Sequence, residues 1–305
     1  MAHEPESLIV TTDTGDRIHY IDWGGPAALA PVLLIHGLAS TAWSWAPVAR
    51  SLAGHTRVLA MDLRGHGLSD SPRGGYDLES LAFDALTVLT ANGYGTDAGG
   101  PPVVVAGHGL GAMVAATMAV LRSESIGGVA LIDAGWEELE EATGMTAADF
   151  ERSIGDPPEV MASMDAYLAD RREFDRASWD VDQEHAARAA VDEKHAGHVA
   201  LVTRSHALRG SVDAMFEYQP MATVARVAQP VLVAVAQSGA ADDEMARERQ
   251  LALDDVIRVR AERGLAEVTV RRFPGAGHNL MRYRPQELTS ALLDLLAEAQ
   301  SHQRS

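Results

Sequence analysis

The sequence predicts an α/β fold, with an eight-stranded, mostly parallel sheet flanked by helices and an inserted helical cap. Short apolar segments alternate with segments of helical periodicity along most of the chain, a pattern typical of βαβ units. Val103–Arg122 combines a buried strand, a glycine-rich turn and a helix rich in alanine and methionine. The alternation stops at Glu137 and resumes after Gln219, and the acidic, helical segment between them indicates the cap.

Eight segments have the composition of strands. The first two flank the turn Asp13–Asp16 and form a predicted antiparallel hairpin. The others are short and largely apolar, as expected for parallel strands that helices cover on both faces. In chain order the predicted strands are Ser7–Thr12, Arg17–Trp23, Pro31–Ile35, Arg57–Met61, the segment that begins at Val103, Gly127–Ile132, Val231–Ala236 and Glu267–Phe273.

Helical segments lie between these strands and fill the inserted region. Leu78–Asn92 carries its apolar residues on one face, and a final helix begins at Pro285. Within the inserted region the helical segments are Ala147–Ile154, Pro158–Arg171 and Gln183–Leu208. We therefore predict a core domain formed by residues 1–136 and 220–305, and a helical cap subdomain formed by residues 137–219.

Composition narrows the possible classes of protein. The 305 residues are enough for one large domain with a full core. With 25 Lys and Arg against 43 Asp and Glu, the net charge of −18 argues against nucleic-acid or membrane partners. The absence of cysteine excludes disulfides, thiolate metal sites and cysteine nucleophiles. Neither a signal peptide nor a membrane-spanning apolar run is found, so we expect a cytoplasmic protein.

The pentapeptide Gly107-His108-Gly109-Leu110-Gly111 lies between the Val103 strand and the following helix. This strand, turn and helix resemble the nucleophile elbow of α/β-hydrolases, whose pattern is G-x-S-x-G, and Gly109 occupies the serine position. The central residue of such a turn has a positive φ angle, which glycine adopts freely and which costs other residues about 1–3 kcal/mol. The turn is therefore predicted to be intact while the side chain for covalent attack is missing.

Three further motifs complete the resemblance to the α/β-hydrolase superfamily, and each follows a predicted strand. They are LLIHGLAS at Leu33–Ser40, DLRGHGLSD at Asp62–Asp70 and FPGAGH at Phe273–His278. The resemblance implies that the backbone N–H groups of Leu38 and Leu110 form an oxyanion hole and that His278 is the catalytic histidine. The ligand would then lie at the carboxyl ends of the strands.

The acid that would orient His278 has two candidates. In the commonest form of the superfamily it follows the strand that here is Val231–Ala236, but no carboxylate occurs there before Asp242 and Asp243. Other members place the acid after the preceding strand, where this chain has Asp133 in LIDAG. We favour Asp133, because Asp243 also fits the first turn of a helix, where carboxylates favour the dipole. Asp243 stays open as the alternative.

The resemblance also implies a substrate class. It indicates hydrolysis of a carboxylic ester or lactone, with a small molecule as the partner and without a cofactor or metal. Gly37, His108, Trp43 and Trp136 lie near strand ends and are candidate substrate-binding residues. The two tryptophans could line an apolar acyl pocket, and aromatic packing in the core is an equal alternative for them. Epoxide and haloalkane hydrolysis is disfavoured, because enzymes with that chemistry place an aspartate nucleophile at the elbow.

Gly109 leaves three interpretations open. The favoured one is a hydrolase that has lost its serine and keeps a substrate-binding shell. In the second, His278 activates a water in the vacated space, so that hydrolysis proceeds without a covalent intermediate. In the third, the chain is a non-enzymatic ligand-binding protein on the same fold. Ser40 and Ser44 are expected on a surface helix and not as substitute nucleophiles.

Overall fold

The computed structural model describes residues 4–154, 160–195, 198–238 and 244–302. Its strands are β1 (Glu6–Thr11), β2 (Arg17–Gly24), β3 (Val32–Ile35), β4 (Val58–Met61), β5 (Val103–His108), β6 (Ile126–Ile132), β7 (Val191–His195), β8 (His198–Leu201), β9 (Val231–Gln237) and β10 (Val268–Pro274). Its helices are α1 (Ala46–Leu52), α2 (Leu78–Ala91), α3 (Leu110–Leu121), α4 (Leu139–Thr143), α5 (Ala147–Ser153), α6 (Met164–Phe174), α7 (Val181–Ala189), α8 (Ser205–Phe216), α9 (Glu244–Glu262), α10 (Leu280–Tyr283) and α11 (Pro285–His302).

Eight strands form one sheet in the order β1-β2-β4-β3-β5-β6-β9-β10. β2 pairs antiparallel with both β1 and β4, and every other pair in the sheet is parallel. Helices cover both faces. The structure therefore confirms the predicted eight-stranded, mostly parallel sheet flanked by helices.

Alternate residues of the central strands pack into two separate cores. In β3, Leu33 and Ile35 face the cluster that includes residues of α2, α3 and α9. Val32 and Leu34 face the other cluster, with residues of α1 and α11. Because both faces are buried, every position of such a strand is apolar, which explains the continuous apolar segments in the sequence.

The connection between β6 and β9 contains α4 to α8 and also a two-stranded antiparallel sheet, β7 and β8. The prediction that Gln183–Leu208 is helical was therefore wrong in its middle part. Val191 and Val199 pack with Tyr167 and Leu168 of α6 in a small cluster of their own. This tertiary contact stabilises a hairpin whose charged sequence has no clear strand pattern. The division into core and cap stays a prediction.

The parallel strands bring four loops to one edge of the sheet. The loops after β3, β5, β6 and β10 carry Leu38, Gly109, Asp133 and His278, respectively. Ligands of open α/β sheets bind at this edge. No helix in the described ranges is long and apolar enough to cross a bilayer.

Candidate active site

The turn between β5 and α3 has the geometry of a sharp elbow. Gly109 adopts φ 56° and ψ −121°, a conformation that L-residues rarely adopt. Its flanking glycines allow close packing: a Cβ at Gly107 would lie 1.9 Å from the Gly111 oxygen, and a Cβ at Gly111 would lie 2.3 Å from the Ile35 oxygen. Both flanking positions therefore require glycine for steric reasons.

Gly109 itself differs from its neighbours, because there is room for a side chain. A Cβ at this position would lie 3.5 Å from Gly37 Cα and 3.7 Å from His278 Nε2, which are ordinary van der Waals distances. A hydroxyl on that Cβ would be within hydrogen-bond reach of His278 Nε2. Only the backbone strain at positive φ opposes a side chain here.

His278 and Asp133 form a hydrogen-bonded pair beside Gly109. Asp133 Oδ2 lies 2.7 Å from His278 Nδ1, while Oδ1 accepts the Ala236 N–H at 2.9 Å. The carboxylate can only accept, so Nδ1 carries the proton and Nε2 presents its lone pair toward Gly109. Asp133 is buried and has φ 52°, whereas the side chain of His278 is 56% exposed. A buried carboxylate thus fixes the orientation of an accessible imidazole.

Arg249 of α9 was not identified from the sequence, yet it supports the acid directly. Its Nη2 donates to the Asp133 backbone oxygen at 2.8 Å and to Oδ1 at 3.1 Å, and its Nε donates to Glu137 Oε1 at 2.9 Å. The guanidinium also lies over the ring of Trp136, 4.7 Å from its centroid. Burial raises the pKa of the Glu137 carboxyl, and the charge of Arg249 opposes that rise.

Two buried histidines hold the loop that contains Leu38. His36 Nδ1 donates to the Gly37 oxygen at 2.7 Å, and the Ala39 N–H donates to His66 Nε2 at 3.1 Å. Burial lowers the pKa of His36 and lowers the pKa of His66 to about 3, so both rings are neutral at pH 7. Because the Gly37 oxygen and the Leu38 N–H belong to one peptide group, fixing the oxygen also fixes the direction of that N–H.

Neither the Leu38 N–H nor the Leu110 N–H has a hydrogen-bond partner in the described part of the chain. Leu110 begins α3, where the first N–H groups of a helix have no intrahelical acceptor. The dipole of α3 adds partial positive charge at the same place. The loops that carry the two N–H groups approach each other at Gly37 and Gly109. These two donors can stabilise an oxyanion if they converge on one point.

A cavity of about 430 Å³ lies beside the Asp133–His278 pair, and residues of α4, α8 and α9 also line it. Gly109, Asp133 and His278 lie at one end of it. Its apolar lining residues are Ala134, Trp136, Leu139, Ala142, Phe150, Met215, Val235, Ala236, Met245, Ala246 and Leu253. Its other polar lining residues are Glu137, Thr143, Gln237, Ser238, Arg249 and Gln250.

The four predicted substrate-binding residues have different environments. Trp136 lines the cavity and is fully buried. His108 packs under His278 with ring centroids 4.3 Å apart and donates from Nε2 to its backbone oxygen at 3.1 Å. Gly37 lies against this ring, since a Cβ there would be 2.8 Å from His108 Nδ1. Trp43 is not among the residues that line this cavity, and its ring stacks on that of His185 with the centroids 3.9 Å apart.

The remaining candidates lie outside the cavity or outside the described residues. The Ser44 hydroxyl donates to the Thr41 oxygen at 2.8 Å, and neither Ser40 nor Ser44 lines the cavity. The alternative acid, Asp243, lies outside the described residues. The geometry therefore brings together Gly109, Asp133 and His278, while the catalytic roles of these residues stay predictions.

Comparison with known proteins agrees with this fold. A sequence profile of the Alpha/beta hydrolase family matches residues 32–291. Epoxide hydrolase 4 of Mus musculus is 35% identical over 116 residues, which are 37% of this chain and 30% of that protein. The 2-(acetamidomethylene)succinate hydrolase of Mesorhizobium japonicum is 30% identical over 141 residues, 46% of this chain and 48% of that protein. The matched segments thus span less than half of each relative.

A solved structure extends the similarity of fold to nearly the whole chain. The crystal structure of E-2-(acetamidomethylene)succinate hydrolase superposes with a TM-score of 0.76, covering 96% of this chain and 100% of that one. Sequence identity over the superposed residues is 21%, so this likeness concerns the fold alone.

Proposed function

Because the chain belongs to the Alpha/beta hydrolase family, we propose that its site binds a carboxylic ester or lactone and that Gly109 leaves it without a covalent nucleophile. The chain would then retain substrate far better than it converts it. One observation supports this most directly: the Asp133–His278 pair is formed, and His278 Nε2 lies 3.7 Å from where a Cβ on Gly109 would be. The base is in position for a hydroxyl that the chain does not have.

The geometry supports a defined pose for the substrate. The carbonyl oxygen would accept from the N–H groups of Leu38 and Leu110, which have no partner in the described ranges. The carbonyl carbon would then lie over Gly109, within reach of whatever His278 activates. One side of the substrate would extend into the cavity beside Asp133. This arrangement suits an acyl group, because negative charge develops on the carbonyl oxygen.

Epoxide opening fits this site less well, although several relatives carry the name epoxide hydrolase. That chemistry needs a carboxylate nucleophile at the elbow, and Gly109 provides no side chain. Ester and lactone hydrolysis can still use the oxyanion donors and the His278 base, which act without the elbow side chain. We therefore keep the acyl substrate and not the epoxide.

A second candidate function follows from the free Nε2 of His278, which has no partner within the described residues. A water in the space over Gly109 could donate a proton to Nε2 while its oxygen forms a bond to the carbonyl carbon. Collapse of the oxyanion would then break the bond to the alkoxide, which takes the proton back from His278. In serine hydrolases that lack triad members, the oxyanion hole and binding leave about 10³–10⁴-fold catalysis over water.

Kinetics of the chain and four variants would test the proposal: Gly109→Ser, Gly109→Ala, His278→Ala, and Gly109→Ser combined with His278→Ala. The substrates are a panel of p-nitrophenyl esters and lactones. We expect Gly109→Ser to raise kcat by at least about 100-fold, because removing the serine of a triad costs up to about 10⁶-fold. Gly109→Ala controls for strain and volume without a hydroxyl, and His278→Ala should abolish the gain.

Other results would favour the other interpretations. Efficient hydrolysis by the unmodified chain, abolished by His278→Ala and not improved by Gly109→Ser, would establish water as the nucleophile. If neither form hydrolysed any ester or lactone and His278→Ala left ligand affinity unchanged, the chain would be a binding protein and the proposed hydrolase site would be wrong.

A further inference from the structure

The walls of the cavity are mostly apolar beyond its catalytic end. Four helices contribute apolar residues to its lining: Leu139 and Ala142 of α4, Phe150 of α5, Met215 of α8 and Leu253 of α9. Such a surface gains free energy by binding aliphatic groups, at about threefold to fourfold in affinity for each methylene removed from water. A volume of about 430 Å³ is within the usual range for small-molecule sites.

Arg249 is the only lysine or arginine among the described residues that line the cavity, and two carboxylates already engage it. Nη2 donates to Asp133 at 3.1 Å and Nε donates to Glu137 Oε1 at 2.9 Å. Nη1 of Arg249 could still donate to a ligand, but a substrate carboxylate bound to Nη1 would lie beside the carboxylates of both Asp133 and Glu137. The charge around Arg249 therefore opposes the binding of a substrate carboxylate.

We propose that this cavity binds an uncharged aliphatic chain of medium length, and that Glu137, by engaging Arg249, rejects substrates whose chain carries a carboxylate. This inference rests on the proposed function, because it specifies the group that the ester or lactone carries. It contrasts with the relatives named for a succinate. Glu137 is thus a specificity-determining residue and takes no part in the bond-breaking step.

The physical basis is desolvation. An aliphatic chain replaces water against apolar walls, whereas a carboxylate in the same place loses its hydration without gaining an unshared cation. Glu137 is 3% exposed, and its Oε2 also accepts the Trp136 N–H at 3.1 Å. Glu137 is therefore held in place and cannot turn away to release Arg249.

The first experiment measures binding and does not depend on turnover. Methyl butanoate, methyl octanoate and monomethyl suberate are titrated calorimetrically into the unmodified chain, and chromatography checks that each ester stays intact. Methyl octanoate and monomethyl suberate differ only in the terminal methyl or carboxylate. We expect methyl octanoate to bind at least about tenfold more tightly than methyl butanoate, given the gain per methylene, and also more tightly than monomethyl suberate.

Two cavity variants and one control locate the effect. Ala142→Trp fills the apolar part of the cavity and should abolish the preference for methyl octanoate over methyl butanoate. Ala169→Trp makes the same change at an exposed position of α6 and should leave that preference unchanged. Glu137→Gln keeps the side-chain shape but removes the charge, so that affinity for monomethyl suberate should rise toward that for methyl octanoate. Thermal unfolding of each variant verifies that it is folded.

Certain results would overturn the inference. The inference would be contradicted if the unmodified chain bound monomethyl suberate as tightly as methyl octanoate or more tightly. It would also be contradicted if methyl butanoate bound as tightly as methyl octanoate, or if Ala142→Trp left the preference between these two esters unchanged. Failure of the proposed function is distinguishable: Gly109→Ser would then hydrolyse no ester, whatever the order of affinities. Conversely, if Gly109→Ser hydrolysed acetate, butanoate and octanoate esters equally well, the hydrolase proposal would stand and the chain-length preference would be wrong.

Discussion

Two histidine–aspartate pairs in this molecule have the same bond length but different surroundings. His278 Nδ1 lies 2.7 Å from Asp133 Oδ2, and His19 Nδ1 lies 2.7 Å from Asp62 Oδ2. The side chain of His278 is 56% exposed, whereas that of His19 is 2% exposed. The first pair faces a cavity, and neither member of the second pair lines that cavity.

Further hydrogen bonds occupy the remaining polar atoms of the His19–Asp62 pair. Nε2 of His19 lies 2.7 Å from the Ser7 hydroxyl, which gives a serine–histidine–aspartate arrangement. Asp62 also accepts the N–H groups of Ala42 at 2.7 Å and Leu68 at 2.9 Å. These bonds hold the loop that follows β4 against β2, so the role of this arrangement is structural.

The comparison shows that a histidine–aspartate hydrogen bond does not by itself indicate catalysis. The Asp133–His278 pair differs because a cavity adjoins it and His278 Nε2 has no partner in the described part of the chain. The N–H groups of Leu38 and Leu110, which likewise have no partner among the described residues, belong to the adjoining loops. A base needs an accessible lone pair and a place for the reacting atom. The Asp62–His19 pair has neither, and its loss should affect folding instead of turnover.

The largest expected effect is a loss of activity, and it should occur only when the Asp133–His278 pair is disrupted. In the Gly109→Ser background, Asp133→Asn should lower kcat by about 10⁴-fold, as loss of the orienting acid does in serine proteases. Asp62→Asn should lower the free energy of unfolding, because its amide would face N–H donors that now bond to a carboxylate. Ester kinetics and urea unfolding of both variants measure the two effects.

The alternative acid provides the control for this comparison. Asp243→Asn in the same background should leave kcat nearly unchanged. If Asp243→Asn lowers kcat by orders of magnitude while Asp133→Asn does not, the acid follows β9 and the pairing of Asp133 with His278 is not the catalytic one.

A smaller effect should appear in the dependence of stability on pH. The pKa of His66 is about 3 in the folded chain, below its ordinary value of 6.5, so protons bind the unfolded chain first as the pH falls. The contribution of His66 is complete above pH 6.5 and is lost as the pH falls toward 3. Between pH 7 and pH 4.5 we expect a loss of about 2–3 kcal/mol from this residue.

Urea unfolding at the two pH values measures this loss. His66→Gln keeps an acceptor for the Ala39 N–H but has no proton to gain, so its loss between the two pH values should be smaller. His55→Gln, at an exposed position, should show the same loss as the unmodified chain. An equal loss in the His66→Gln and unmodified chains would show that His66 is not the buried neutral group described above.

The smallest expected effect concerns the elbow. Gly109→Ser should leave the free energy of unfolding equal or reduce it by about 1–3 kcal/mol, because serine must adopt a positive φ. Gly93→Ser is a matched control, since Gly93 has φ 77° with no atom near its Cβ position. A clear stabilisation by Gly109→Ser in thermal unfolding would mean that Gly109 does not lie at a strained elbow.

Much of this fold was predictable from the sequence because its strands are buried on both faces. Segments such as Val32–Ile35 are therefore continuously apolar and end in short motifs. The same motifs indicated which loops meet at one edge of the sheet, including those of Gly109 and His278. Asp133 was preferred over Asp243 because no carboxylate directly follows the strand that forms β9.

Other features could not be predicted, because they depend on contacts distant in sequence. Arg249 lies among several charged residues of α9, and its pairing with Asp133 spans 116 positions. The hairpin of β7 and β8 depends on packing against α6 and has no periodic pattern of its own. Trp43, for which substrate binding and aromatic packing were equal alternatives, stacks on His185 of α7, because aromatic residues near strand ends pack equally well against other rings.

The most direct test of an acyl site that lacks only its nucleophile is a rapid-quench measurement on the Gly109→Ser chain. With p-nitrophenyl octanoate as substrate, we predict a burst of about one equivalent of nitrophenol and a matching acyl adduct in the intact mass. The unmodified chain and Gly109→Ala should show neither. Hydrolysis by Gly109→Ser without a burst or adduct, or an adduct on the unmodified chain as well, would contradict the assignment of Gly109 as the nucleophile position.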